Sequence, residues 1–326
     1  MTVTGPATED LVGLRVLAVH AHPDDESLWT GLALTQWARR GADVTVVTCT
    51  LGEEGEVIGE KYQALIADRS GLLGGYRIAE LQRALAALGV NVDDLTGCAR
   101  PRFLGGVATW RDSGMAGTPP AADPRAFVRS GDAAVDALVD EIERYRPHVL
   151  VTYGPDGGYG HPDHIRAHEV THSAVAAQVA GRRWVPARIW WCVTETEVLD
   201  AGLAELRRAG DPPAGWRWPE PGELASVPAR QVDARVVGTA ADLAAKQAAM
   251  SAHATQLWVA DGRTYDVIAD PRTGADGAPV PFCLSNLITQ PLVGTESYTL
   301  GERRDGESGL STETLDRLDC LFAEGR

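Results

Sequence analysis

The chain has 326 residues, 44% of them hydrophobic, with a formal net charge of -15 and a pI of about 4.9. That is enough apolar material for one large domain, or for a core with a smaller second part, and the acidic excess argues against nucleic acid or an anionic membrane surface as partner. Five cysteines without short spacing, no basic-then-apolar leader, and no apolar run of about 18 residues point to a reduced, cytoplasmic protein without a membrane span.

Residues 14–20 form a short, mostly apolar run with β-branched members, the pattern of a strand covered on both faces. Residues 26–40 carry Leu28, Leu32, Leu34, Trp37 and Ala38 near helical spacing. Pro23, Asp24 and Asp25 stand where a first turn favours proline and acid, and Gly41 closes the helix. Residues 43–49 form the next strand, which completes a βαβ unit and implies two parallel strands. Residues 78–88 read as helix, 102–104 as a short strand, and 132–145 as an amphipathic helix stopped by Pro147. Residues 148–153 read as strand, 164–180 as helix and 187–193 as strand. This alternation predicts an α/β fold: a Rossmann-like, mostly parallel sheet with helices on both faces. Beyond residue 195 the texture changes. Residues 209–228 are rich in Pro, Gly and Trp and read as loop, 240–253 as helix, and 262–280 as turns between short strand-like runs. The expected organisation is a core over residues 1–195 and a smaller, irregular α+β cap over 196–326 that completes the substrate pocket.

Two segments carry chemistry. His20-Ala21-His22-Pro23-Asp24-Asp25-Glu26-Ser27 leaves the first strand, and Gly160-His161-Pro162-Asp163-His164 follows the strand at 148–153. In open α/β sheets, active sites form beyond such strand ends. His22 and Asp25, three apart in a turn, can face one ion, and His164 supplies a third donor. Two nitrogens and a carboxylate with an open position are the donors of a hydrolytic zinc site, which lowers the pKa of water and polarises a carbonyl. Asp24, beside these donors, is placed to take a proton from that water.

Each residue alone has an ordinary explanation. A single His after a strand usually packs, a single Asp before a helix usually caps it, and His161 could be a loop residue. Yet His20, His22, His161, His164 and His168, five of the eight histidines, fall in or beside the two segments. His20, on the strand itself, is expected to be buried behind the donors. His168 and His172 are expected to be solvated or supporting, and His148 and His253 to lack partners.

The glycine-rich stretches do not make a nucleotide site. Glu53, Glu54 and Glu56 would repel phosphate, no Lys-Ser/Thr follows residues 154–160, and HAHPDDES stands where a dinucleotide fold shows GxGxxG. A nucleotide-cofactor-binding Rossmann enzyme is therefore the rival of a different class, which a metal assay would separate. A sugar-binding homologue without catalysis is a third reading, but binding alone needs neither Asp24 nor His161.

Ala21-His22-Pro23-Asp24-Asp25-Glu26 with the distant His161-Pro162-Asp163-His164 resembles the LmbE-like (PIG-L) family of metal-dependent N-acetylglucosamine deacetylases. VTCTLGEEGEVIG from Val47, LGGYR ending at Arg77, WRDSGMAGT from Trp110 and GGYGHPDH ending at His164 are similar to the branch that removes acetate from N-acetylglucosaminyl-inositol in mycothiol biosynthesis. The likeness covers most of residues 14–180 and is weaker around 246–256. It implies one zinc per subunit, with iron as the alternative, held by His22, Asp25 and His164. It implies Asp24 as general base, and His161 to stabilise the oxyanion or protonate the departing amine. Tyr159 would reach the carbonyl oxygen from a mobile loop, and Arg77 and Asp112 would hold sugar and inositol hydroxyls. Without the likeness, Arg77 would read as a surface ion pair and Asp112 as a turn cap. The implied partner is a small amino-sugar glycoside, and homo-oligomerisation stays open. Mycothiol S-conjugate amidases share the metal motif but typically carry a Lys soon after DDES, where this chain has Leu28-Trp29-Thr30. Amidase activity, or deacetylation of another N-acyl sugar, is the alternative within the family. Residues 1–13, 93–100 and 184–228 depart from the pattern, so the likeness says least about the outer substrate pocket.

Overall fold

A computed structural model describes residues 10–322 except 94, 266, 268–270 and 276. In chain order the strands are β1 (Arg15–His20), β2 (Asp43–Thr48), β3 (Val149–Tyr153), β4 (Arg188–Val193), β5 (Ala234–Val237), β6 (Trp258–Val259), β7 (Pro281–Cys283), β8 (Gln290–Pro291) and β9 (Thr295–Arg303). The first four are the apolar runs RVLAVH, DVTVVT, VLVTY and RIWWCV, each buried along most of its length. Such runs need cover on both faces, which parallel sheets with crossover helices provide. β1 pairs in parallel with β2 and β3, and β3 with β4. β9 runs antiparallel to β4, and β5 antiparallel to β9. The sheet order is therefore β2-β1-β3-β4-β9-β5, the mostly parallel α/β sheet expected.

The main helices are α1 (Asp25–Trp29), α2 (Gly31–Arg39), α3 (Leu73–Leu88), α4 (Gly131–Tyr145), the irregular turn α5 (Gly157–Gly160), α6 (Pro162–Gly181), α7 (Thr196–Ala209) and α8 (Ala240–Ala252). α2, α3 and α8 pack together, and α4 packs on α6. Strand order moves one way from β1 to β2 and the other way from β3 to β4. With right-handed crossovers, the connecting helices fall on opposite faces. The reversal lies between β1 and β3, the switch point where open sheets bind ligands. Beneath it Leu17, Val19, Leu150 and Val151 are fully buried. Cutting Leu17 back to Ala in such packing costs about 2–5 kcal/mol.

Four local readings change. The helix expected over 26–40 breaks at Thr30, which leaves helical geometry at φ -134° and ψ 6°. Its hydroxyl bonds back to the Glu26 carbonyl oxygen, and the N–H groups of Leu32 and Ala33 donate to the buried carboxylate of Glu296 on β9. That carboxylate caps a second helix start, a role favoured by the positive end of the helix dipole. Helix α3 begins at Leu73, five residues before the expected 78. Residues 102–104 form only a bridge, between Phe103 and Thr48. Helix α7, which no reading assigned, occupies 196–209.

Residues beyond 195 contribute β5 and β9 to the main sheet, and β6, β7 and β8 form a second sheet of three strands. Among the described residues no helix is long and apolar enough to cross a membrane.

Candidate active site

β1 ends at His20, and the chain turns through His22 and Pro23 into α1. Asp25, the first residue of α1, folds its carboxylate back. Its Oδ2 accepts the His22 N–H at 2.8 Å and the Tyr153 hydroxyl at 2.7 Å. Tyr153 closes β3, accepts the Ala21 N–H at 2.8 Å, and stacks on His164 with ring centroids 4.1 Å apart. His164 lies on the first turn of α6, with Nδ1 3.1 Å from the Gly157 carbonyl oxygen. Gly157 is at φ +65°, and a Cβ there would lie 2.9 Å from His164 Cβ, so only glycine fits.

These contacts assign the tautomers. His164 Nδ1–H donates to Gly157, which leaves the Nε2 lone pair facing inward. His22 Nε2–H faces Asp163 Oδ2 at 3.3 Å and Asp112 Oδ1 at 3.6 Å, which leaves its Nδ1 lone pair facing inward. Such outer acceptors orient metal-binding imidazoles. The two inward nitrogens stand 3.3 Å apart. Asp25 brings Oδ2 to 3.4 Å from His22 Nδ1 and Oδ1 to 3.4 Å from His164 Nε2. A tetrahedral zinc shell with bonds of about 2.0–2.1 Å has edges of about 3.3–3.4 Å. Two inward nitrogens beside a carboxylate need a cation among them, a proton on His22 or a metal ion in its place, and the spacing of the donors fits a divalent metal.

The surrounding charge points the same way. Asp25, Asp112 and Asp163 are all buried around His22. Burial alone would lower the His22 pKa, but Asp112 and its neighbours outweigh it and hold it well above the usual value. Burial likewise would raise Asp25, but the imidazoles of His164 and His22 hold it well below the carboxylate range. Asp163 Oδ1 is buried with no hydrogen-bond partner. A cation compensates this excess of buried negative charge. The ring nitrogens of His161 also lie within 4.8 Å of those of His22 and His164.

Asp24 occupies the N-cap position of α1 but makes no side-chain cap bond, and its φ is +139°. Its carboxylate turns instead to Arg77 Nη2 at 3.0 Å. Arg77, reaching in from α3, also donates to the carbonyl oxygens of Gly52, at 2.7 Å, and Pro23. Gly52, at φ +65°, lies so close that a Cβ would stand 2.0 Å from Arg77 Nη1. Burial raises the Asp24 pKa to about 6, with Arg77 pulling it back and Asp25 pushing it up. A carboxyl poised there can both take and return a proton.

His161 caps α6, with Nδ1 accepting the Asp163 N–H at 3.2 Å. Burial, then His22 and His164, hold its pKa down to about 3. It is therefore a neutral ring with its proton on Nε2. Tyr159, on the turn α5, is 50% exposed, with its ring 5.1 Å from His164 and 6.0 Å from His161. Asp112 accepts the N–H groups of Gly114 and Glu54. Over these groups lies a cavity of about 550 Å³, lined by Asp24, Arg77, Asp112, Tyr159 and His161, by apolar residues such as Phe282 and Leu292, and by polar ones such as Glu195 and Asn286. The fold thus gathers all eight residues singled out in the sequence. Arg77 and Asp112 stand at its reacting end, against Asp24 and His22.

Other histidines differ from expectation. His253, read as partnerless, places Nε2 2.7 Å from Glu26 Oε1, and His148 Nδ1 accepts the Arg15 backbone N–H at 3.1 Å. His20 is buried against Thr30, as expected. His168 lies 3.0 Å from the Tyr153 carbonyl oxygen, and His172 pairs with Glu302. Sequence reasoning gave no role to Tyr153, Asp163, Glu26 or His253. The first two carried a signal, one as the last residue of a strand ending at the site and the other inside the HPDH segment.

Residues 17–175 match the family described as PIG-L: GlcNAc-PI de-N-acetylase. A 1D-myo-inositol 2-acetamido-2-deoxy-alpha-D-glucopyranoside deacetylase from Corynebacterium jeikeium is 54% identical, over 88% of this chain and 91% of its own. One of the same name from Corynebacterium diphtheriae is 51% identical, over 90% of this chain and 94% of its own. Among solved structures, N,N'-diacetylchitobiose deacetylase from Pyrococcus horikoshii is 18% identical with a TM-score of 0.41, over 54% of this chain and 59% of that one. On the two curated matches and the family match, the chain belongs to the PIG-L family of de-N-acetylases, enzymes that hydrolyse N-acetyl groups.

Proposed function

We propose that the chain removes acetate from N-acetylglucosaminyl-inositol and leaves the free amine, the reaction named for its curated relatives. The observation that carries this reading is the convergence of His22 Nδ1, His164 Nε2 and the Asp25 carboxylate on one point, with Asp24 beside it under a substrate-sized cavity. His22, Asp25 and His164 would hold a divalent metal, zinc by the donor set, with iron as the alternative. When bound, such an ion lowers the pKa of water and polarises the acetamide carbonyl.

The chain's own groups supply the rest. Asp24 takes the proton as a water oxygen bonds to the acetamide carbon. The carbonyl oxygen gains charge, and His161 Nε2–H and the Tyr159 hydroxyl donate to it. As the C–N bond breaks, Asp24 returns the proton to the departing nitrogen, so one carboxyl serves both steps. Arg77 and Asp112 line the cavity, and we assign them to substrate hydroxyls.

The test is release of acetate and amine from N-acetylglucosaminyl-inositol, free N-acetylglucosamine and a mycothiol S-conjugate. The inositol glycoside should be cleaved best, because a site that bonds hydroxyls is left with unpaired groups when the second ring is missing. Preference for the S-conjugate would make the chain an amidase. Cleavage of none would leave the family assignment alone standing.

A further inference from the structure

We infer that His253, acting through Glu26, is a positioning residue that holds the backbone of Asp24 so that its carboxylate faces the cavity. The inference rests on the reading of Asp24 as proton acceptor. At φ +139°, Asp24 occupies a region that residues with a Cβ rarely adopt, and such a conformation persists only where its surroundings over-determine it. What fixes it is visible. The Asp24 N–H donates to Glu26 Oε2 at 3.0 Å. Glu26 Oε1 accepts from His253 Nε2 at 2.7 Å and from the Ser27 hydroxyl at 2.5 Å. Glu26 and His253 are fully buried, so no water competes for these bonds.

His253 is itself held. It follows α8, with its N–H bonded to the Met250 carbonyl oxygen. Two residues on, the N–H and hydroxyl of Thr255 bond to the two oxygens of Glu80 on α3, at 2.9 and 2.6 Å. One turn before Glu80, Arg77 holds the Asp24 carboxylate. Two helices distant in sequence therefore reach Asp24 by separate routes, α3 to its side chain and the end of α8 to its amide. A buried pair serving stability alone could end anywhere. This one ends on the N–H of the residue with the least ordinary backbone in the site.

The test is a double-mutant cycle on metal-loaded protein, with acetate release as readout. His253→Gln keeps a neutral donor and His253→Ala removes it. Both should lower kcat, Gln less than Ala, by roughly ten- to a hundredfold for the larger change, the scale of a small misplacement of a reacting group. KM and bound metal should not change. In an Asp24→Asn background, followed over long incubations, neither His253 change should lower the residual turnover further, because groups acting as a unit are not additive. Equal fold-losses in both backgrounds, a change confined to KM, or loss of metal would overturn the inference. If Asp24→Asn alone turns over like the wild type, the assignment of Asp24 fails instead. Should His253→Ala not fold, His253→Gln is read in its place. Failure of both to fold would make the pair structural and end the proposal.

Discussion

Replacing Tyr153 with Phe removes one oxygen from beneath the site and leaves the ring stacked on His164. That oxygen accepts the Ala21 N–H at 2.8 Å and donates to Asp25 Oδ2 at 2.7 Å, and both partners are buried. A hydrogen bond to a charged group contributes about 1.5–3 kcal/mol, and a stranded buried N–H costs about 1–3 kcal/mol. Asp25 keeps the His22 N–H as a second donor, so the two losses overlap. The expected destabilisation of chelator-stripped protein is about 2–4 kcal/mol, measured by urea unfolding. Asp25 also loses the group that aims its carboxylate. Competition against a chromophoric chelator should therefore show metal binding weakened about ten- to a hundredfold. Tyr159→Phe is the control, since Tyr159 is half exposed, and its stability should stay within about 0.5 kcal/mol of wild type. If Tyr153→Phe were as stable as that control and bound metal as tightly as the wild type, the reasoning about Asp25 would be refuted.

Asp24→Asn should keep its metal and lose roughly 10²–10⁴ in turnover, and near-wild-type turnover at saturating metal would remove Asp24 from the proton path. His161→Ala should lower kcat with KM little changed, whereas a change confined to KM would show that His161 only binds substrate. Burial, with Arg15 alongside, holds the His148 pKa down to about 4 from 6.5. The unfolded chain therefore binds this proton first, and stability present above pH 6.5 is lost as pH falls from 6.5 towards 4. Urea unfolding of His148→Gln across that window should show a shallower decline than the wild type, and parallel curves would count against the assignment.

The parts of this fold legible in sequence are those whose signal is local. β1 to β4 are apolar runs buried on both faces, and their pattern needs no partner to be read. β9 and β5 are mixed in polarity, TESYTLGER and ARVV, because they lie towards the sheet edge, and their pattern alone does not mark them as strands. Helix α7 carries a local signal as well, Leu199, Leu203 and Leu206 at helical spacing. The break between α1 and α2 is set by Glu296, 264 residues from Leu32, and could not be seen nearby. The proposed metal donors could be picked out because two short segments concentrate imidazole and carboxylate at strand ends. His253 could not, because the partner of its ring, Glu26, lies 227 residues away. Arg77 and Asp112 came from the family likeness, and the structure adds what sequence could not: their polar atoms engage Asp24 and His22 directly.

The central claim is that His22, Asp25 and His164 hold one divalent ion on which deacetylation depends. Its most direct test is to strip the protein with a chelator and titrate zinc back while following acetate release from N-acetylglucosaminyl-inositol. Turnover should be absent at the start, rise with added zinc and level off at about one equivalent, the stoichiometry of a single site. His22→Ala and His164→Ala should show no such rise at these concentrations. Full turnover in the stripped protein, or an unchanged titration in both variants, would contradict the account.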